Sequence, residues 1–224
     1  NRHRSTGPRG PSTTGGREMR LLLIRHAQST ANVVHALDSL PPGPTLTELG
    51  ESQALDLAGL LAELPLRAVY ASTAIRAQRT AAPIAAKHGL QVEVIEGVQE
   101  TYLGDLEGST DAESYATFLA VSTAWLAGEL DRPVPGGESA RAVIDRFTAA
   151  IGALRERHGA DELIAIVSHG AATRLVGAHL ASNVGTAAAE SALLPNCGQI
   201  LLHTEARAPT GWVCDYWSGL PDTP

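Results

Sequence analysis

The chain has no apolar run near the ~18 uninterrupted residues that a membrane span needs, and its first residues lack the apolar core of a secretory leader. A soluble, cytoplasmic protein with no membrane partner is therefore expected. Positive charge is also scarce: 17 Lys and Arg stand against 24 Asp and Glu, a formal net charge of −7. Nucleic acid and anionic membranes, which both call for a basic surface, are thus disfavoured as main partners. Only two cysteines occur, Cys197 and Cys214, too few and too far apart for a zinc cage or a disulfide framework. They read as buried free thiols, with a Cys197–Cys214 bridge between C-terminal strands as the alternative. There is no His-x-x-x-His pair and no carboxylate cluster of Mg²⁺ type, so neither a metal nor another cofactor is expected.

What is present suits one globular domain. The 224 residues are 44% hydrophobic, enough to bury one sizeable core, and show no internal repeat. Residues 1–17 are Arg, Gly, Ser, Thr and Pro with almost nothing apolar, and cannot repay the entropy of folding. They are expected to be a disordered N-terminal tail ahead of a folded domain over 18–224. The single methionine, Met19, precedes the first strand-like run and reads as the native start.

From there strands and helices alternate. Arg20 to Arg25 reads as a buried strand, Thr47 to Leu64 as a helix capped by Thr47, and Ala68 to Ala71 as a short strand. Ser72 to His88 is helical and stopped by Gly89, and Gln91 to Ile95 alternates polar with apolar residues. A polar helix over Ser139 to His158, a strand over Leu163 to Val167 and a helix over Ala171 to Leu180 follow. Gln199 to Thr204 and Val213 to Trp217 close the chain as strands. Such alternation predicts an α/β fold: a single domain with a mostly parallel central sheet, helices on both faces, and an active site at the C-terminal ends of the strands.

Two histidines stand at that address. His26 follows the apolar run Leu22-Leu23-Ile24-Arg25, and His169 follows Ile164-Ala165-Ile166-Val167-Ser168. Free N–H groups and the helix dipole favour anions there, phosphate above all. Arg25 and Arg76 follow strand-like runs too and offer bidentate forks. An imidazole among arginines resists protonation, which leaves His26 neutral and nucleophilic.

These motifs identify the chain as resembling the histidine phosphatase superfamily, in its phosphoglycerate mutase-like branch. The resemblance spans about Met19 to Cys197 and rests on six segments in the family's order. They are Arg25-His26-Ala27-Gln28-Ser29 with Asn32 downstream, Leu46 to Ala54, Ser72 to Ala81, Val98 to Gly108, Pro135-Gly136-Gly137-Glu138-Ser139 and Ser168-His169-Gly170. Ala27 stands where the family has glycine, and Thr73-Ala74 where it has proline and a hydrophobic residue, which leaves the local turn open.

The resemblance implies catalysis by His26, Glu100 and His169. His26 would become a transient phosphohistidine, and Arg25, Asn32, Arg76, His169 and the Gly170 N–H would hold the phosphate oxygens. Glu100 would be the proton donor, with Glu107 its nearest rival. Glu138 reads as a residue that caps or orients the long helix rather than doing chemistry. Arg79, Arg141 and Arg174 read as surface cations. No metal ligand belongs to the set.

The segment over about 101–131 is expected to be a lid with no Lys or Arg, and none occurs between Asn32 and Leu66 either. It offers Tyr102, Tyr115, Phe118, Leu119 and Trp125 among its apolar residues. The reading is a metal-independent phosphomonoester hydrolase whose partners are a small phosphate ester and inorganic phosphate. The alternatives are a cofactor-dependent phosphoglycerate mutase, which would need further cations, and a non-catalytic phosphate-binding or interaction domain.

Overall fold

The computed structural model describes residues 18–220. The tail expected over 1–17 lies outside the described residues. Strand β1 (Arg20–Arg25) is followed by α1 (Thr30–Val33), α2 (Glu48–Leu60), β2 (Leu66–Ala71), α3 (Ile75–Lys87) and β3 (Val92–Val94). A 3₁₀ turn (Gly104–Leu106) leads into α4 (Ala112–Leu126) and α5 (Ala140–Arg157). Then come β4 (Leu163–Ser168), α6 (Gly170–Leu180), α7 (Thr186–Ser191), β5 (Gln199–Thr204) and β6 (Trp212–Trp217).

Four consecutive aliphatic residues in β1 can all be buried only if both faces of the strand are covered, and Leu21 to Ile24 are each 0% exposed. Leu21 and Leu23 pack with Val143, Phe147 and Ile151 of α5 and Val176 of α6, while Leu22 and Ile24 pack with Leu57 of α2 and Ile84 of α3. The six strands run in the order β3-β2-β4-β1-β5-β6. β3, β2, β4 and β1 are parallel, and β5 and β6 add an antiparallel hairpin at one edge. The sheet is mixed but mostly parallel, as expected. No helix among the described residues is long and apolar enough to cross a membrane. Cys197 and Cys214 are both free, so the bridge is not formed.

Element boundaries shift for local reasons. α2 ends at Leu60 rather than Leu64, because Leu61 is its C-cap and Pro65 disfavours helix at the residue before it. α3 begins at Ile75 rather than Ser72, because the Ser72 N–H still donates to Val167 O and continues the sheet. α4, capped by the Asp111 side chain accepting from Ser114 N, occupies the stretch read as a lid.

The Pro135-Gly136-Gly137 motif is explained by backbone contact. Gly104 has φ +54°, and a Cβ there would lie 2.1 Å from Gly136 C and 2.3 Å from Gly137 N. Gly104→Ala should therefore cost roughly 1–2 kcal/mol for its left-handed backbone and a further 1–3 kcal/mol for overpacking, read as a lower urea midpoint. An unchanged midpoint would show that the two segments are not held together.

Candidate active site

Register places the site. Arg25 of β1 pairs with Ser168 of β4, and Ala71 of β2 pairs with Val167, so three neighbouring parallel strands end level. The next residues, His26, His169 and Ser72, therefore lie side by side: His26 N donates to Ser168 O at 3.0 Å, and Ser72 Oγ lies 2.8 Å from His169 Nε2. The two histidine rings meet edge to face with centroids 5.3 Å apart.

His26 is 4% exposed. Its Nδ1 lies 2.7 Å from Ala27 O, which can only accept, so Nδ1 carries the proton and Nε2 keeps its lone pair. Arg76 Nε donates to that nitrogen at 3.3 Å. Burial, then the charge of Arg76, pushes the His26 pKa down to about 3, despite the opposing bond to Ala27 O. His169 is 1% exposed and lies well below the ordinary histidine range, through burial first and then Arg76. Ala27 is buried without a left-handed backbone, so alanine is accommodated where the family has glycine.

Arg76, from the first turn of α3, is 2% exposed. Its Nη1 donates to Asp38 Oδ1 at 3.0 Å and its Nη2 to Asp38 O at 3.2 Å. The Thr73-Ala74 departure leaves this placement intact: Ala74 is the helix N-cap, and its N–H donates to Ser72 Oγ at 3.4 Å. Arg25 donates from Nη1 to Leu194 O at 2.6 Å, whereas its buried Nε has no hydrogen-bond partner. Asn32 closes a capping box with Ser29 at the start of α1, and its Oδ1 accepts from Asn196 Nδ2 at 3.1 Å.

Glu100 docks on the start of α6. Its Oε1 accepts from Thr101 N and Ala172 N at 2.8 Å each, and its Oε2 accepts from Ala171 N at 3.1 Å. Glu107 instead holds the 39–40 backbone, accepting from Ser39 N and Leu40 N. Glu138 does not cap α5, whose N-cap is Ser139. It pairs with Arg146 and accepts from Tyr102 N at 2.8 Å. Burial acts to raise its pKa, but the Arg146 bonds and the Tyr102 N–H outweigh burial and leave it lowered.

Arg25, His26, Asn32, Arg76, Glu100 and Gly170 line one cavity of about 350 Å³. His169 is buried beside His26 rather than in that wall. Tyr115 and Phe118 of α4 also line the cavity, whereas Trp125 belongs to the core and Leu119 is exposed. Two charged wall residues lie outside the expected set. Asp38 comes from an irregular loop with no periodicity to expose it, and Arg174, read as a surface cation, faces the cavity from α6. Arg79 and Arg141 do form surface pairs, with Glu51 and Asp131. Among the described residues, the group of His and acidic side chains close enough to share an ion is Glu18, His203 and Glu205, at the other end of the sheet.

The family model of the histidine phosphatase superfamily (branch 1) matches residues 21–217, and the chain belongs to that superfamily. The superfamily's phosphohistidine mechanism is a shared trait. A PE-PGRS family protein of Mycobacterium tuberculosis is 27% identical over 93% of this chain, which spans 38% of that protein's length. Glucosyl-3-phosphoglycerate phosphatase of Mycolicibacterium vanbaalenii is 28% identical over 90% of this chain and 95% of that protein. The solved mycobacterial glucosyl-3-phosphoglycerate phosphatase superposes with a TM-score of 0.77 at 26% identity, covering 90% of this chain and 99% of that chain. That mycobacterial phosphatase has also been solved in complex with inorganic phosphate.

The low pKa of His26 carries a stability signature. Between pH 6.5 and about 3 the unfolded chain holds a proton on this residue that the folded chain excludes, so stability falls as pH falls through that window. The slope is about 1.4 kcal/mol per pH unit for such a histidine. Urea unfolding at pH 5.5 and 4.5 should show a pH-dependent loss smaller by about that amount in His26→Ala than in the parent. Equal losses in the two proteins would show that His26 is not held neutral.

Proposed function

We propose that the chain is a phosphomonoester hydrolase in which His26 Nε2 attacks phosphorus. The carrying observation is the fixed tautomer: Nδ1 is committed to Ala27 O, and the Nε2 lone pair faces Arg76 in a cavity that Arg25 also lines. Phosphoryl transfer demands positioning and charge neutralisation more than elaborate covalent chemistry. In this reading Arg25, Arg76, Asn32, His169 and the Gly170 N–H hold the nonbridging oxygens. The N–P bond forms as the ester P–O bond breaks, and protonated Glu100 gives its proton to the leaving oxygen. Water then attacks the phosphohistidine while Glu100 takes a proton from it. Phosphate departs and His26 is restored.

Residues 101–131 are proposed to be the lid, with Tyr115 and Phe118 bounding the space for the leaving group. The name of the glucosyl-3-phosphoglycerate phosphatase relative points to an organic phosphate bearing a carboxylate, and Arg174 supplies one cation for such a group. A mutase must hold a carboxylate and a second phosphate. Beyond Arg25 and Arg76, Arg174 is the one Lys or Arg on the described wall, so hydrolysis is favoured.

His26→Ala should abolish turnover and acid-labile phosphate labelling in a folded protein, and retained turnover would remove His26 as the nucleophile. If Glu100 is the proton donor, Glu100→Gln should slow an alkyl phosphate by about 10²–10⁴-fold and a nitrophenyl phosphate far less, because nitrophenolate leaves unaided. Equal losses on both esters would reassign the donor. Activity is expected to survive EDTA, and a requirement restored by Mg²⁺ or Zn²⁺ would overturn the mechanism. A higher kcat/KM for 3-phosphoglycerate interconversion than for ester hydrolysis would favour the mutase.

A further inference from the structure

We propose that Arg146 and Glu138 form a positioning pair that aims Glu100 at the leaving group; this rests on the reading of Glu100 as proton donor. The backbone on both sides of Glu100 is gripped by these two side chains. Arg146, reaching from α5, uses all five of its guanidinium hydrogens. Nη1 donates to Gly97 O at 2.8 Å and Gln99 O at 2.9 Å, and Nη2 donates to Glu100 O at 2.9 Å. Nε and the remaining Nη2 hydrogen go to the two oxygens of Glu138, at 2.8 and 2.9 Å. Glu138 Oε2 then accepts from Tyr102 N at 2.8 Å, on the far side of Glu100. Ser168 Oγ, one residue before His169, donates to Val98 O at 2.8 Å and ties the same segment to the end of β4.

The segment 97–102 belongs to no helix or strand, so nothing in regular secondary structure holds it. Its carbonyls at 97, 99 and 100 and the two oxygens of Glu138 take five hydrogens from one planar cation, which a guanidinium supplies and a lysine ammonium, with three, does not. Glu138 holds that fork in place, and both side chains are 22% exposed. The Arg146–Glu138 ion pair thus couples the Pro135-Gly136-Gly137-Glu138 motif to the residue two positions before Tyr102. Errors of about 1 Å at a reacting group cost about 10²-fold in rate. The pair fixes the distance from Glu100 to the ester oxygen, whereas His26 and the arginines are held by other elements.

The test compares an alkyl phosphate with nitrophenyl phosphate in the full chain, for Arg146→Met, Arg146→Lys, Glu138→Gln, Glu100→Gln and the Glu100→Gln/Arg146→Met double variant. Tm is measured for each. Arg146→Met is expected to lose about 10–10²-fold in kcat on the alkyl ester and several-fold less on the nitrophenyl ester. Arg146→Lys should recover part of the alkyl activity. Glu138→Gln, which keeps size and shape, should show the same leaving-group pattern more weakly and covers the case in which Arg146→Met folds poorly. The double variant should be no slower on the alkyl ester than Glu100→Gln alone, since residues acting as one unit are not additive. Equal losses on both esters in Arg146→Met and Glu138→Gln, or multiplicative losses in the double variant, would overturn the pair's role while leaving Glu100 as donor. A Glu100→Gln protein without leaving-group dependence would overturn both readings, and only that outcome touches the assignment of Glu100.

Discussion

A buried guanidinium is the constraint around which the site is arranged. Removing an arginine from water costs several kcal/mol unless its hydrogens are met and its charge is answered. At 2% exposure, Arg76 meets that demand with the carboxylate and the carbonyl of Asp38 and with the lone pair of His26. The loop after α1 therefore has to fold so that one residue presents both its side chain and its backbone oxygen. His26 in turn has to remain neutral, because a second cation 3.3 Å away would be unanswered. The neutrality of His26 thus follows from its burial and from the charge of its neighbour Arg76.

The sheet supplies the other half of the arrangement. Because β2, β4 and β1 end level, three successive chain exits deliver Ser72, His169 and His26 to one small volume without any long-range loop having to close accurately. Glu100 and the α4 side chains come instead from the stretch between β3 and α5, which is fastened by specific polar clasps. Ser72, His169 and His26 thus sit at strand ends, whereas Glu100 sits on a separately tethered segment.

The division also explains what could be read from sequence. His26, His169, Arg25 and Arg76 were legible because each follows an apolar run whose periodicity announces a strand. The strand order could not be obtained the same way, and neither could the antiparallel placing of β5 and β6. Asp38 lies in a loop of Leu, Pro, Gly and Ser where no period exists. Arg146 and Glu138 are eight residues apart and look like one more surface pair until the fold brings residues 97–102 over them. Arg174 looked like a helix-surface cation because one sequence cannot show which way a half-buried helix turns its long side chains. The shortening of α2 is written in Pro65, although the leucine spacing continues to Leu64.

Cys197 adopts φ +60° and spends its backbone N–H on Arg25 O and His26 O, so it adjoins His26 through the main chain rather than through sulfur. Burial pushes its thiol, and that of Cys214, up to about 12. Thiolate, the form that reacts, is accordingly scarce at neutral pH in the folded protein. The two sulfurs act as silent reporters. Cys197 borders the active-site strand end and Cys214 lies on the outer hairpin, so their separate rates of alkylation become clocks for the opening of two different parts of the sheet.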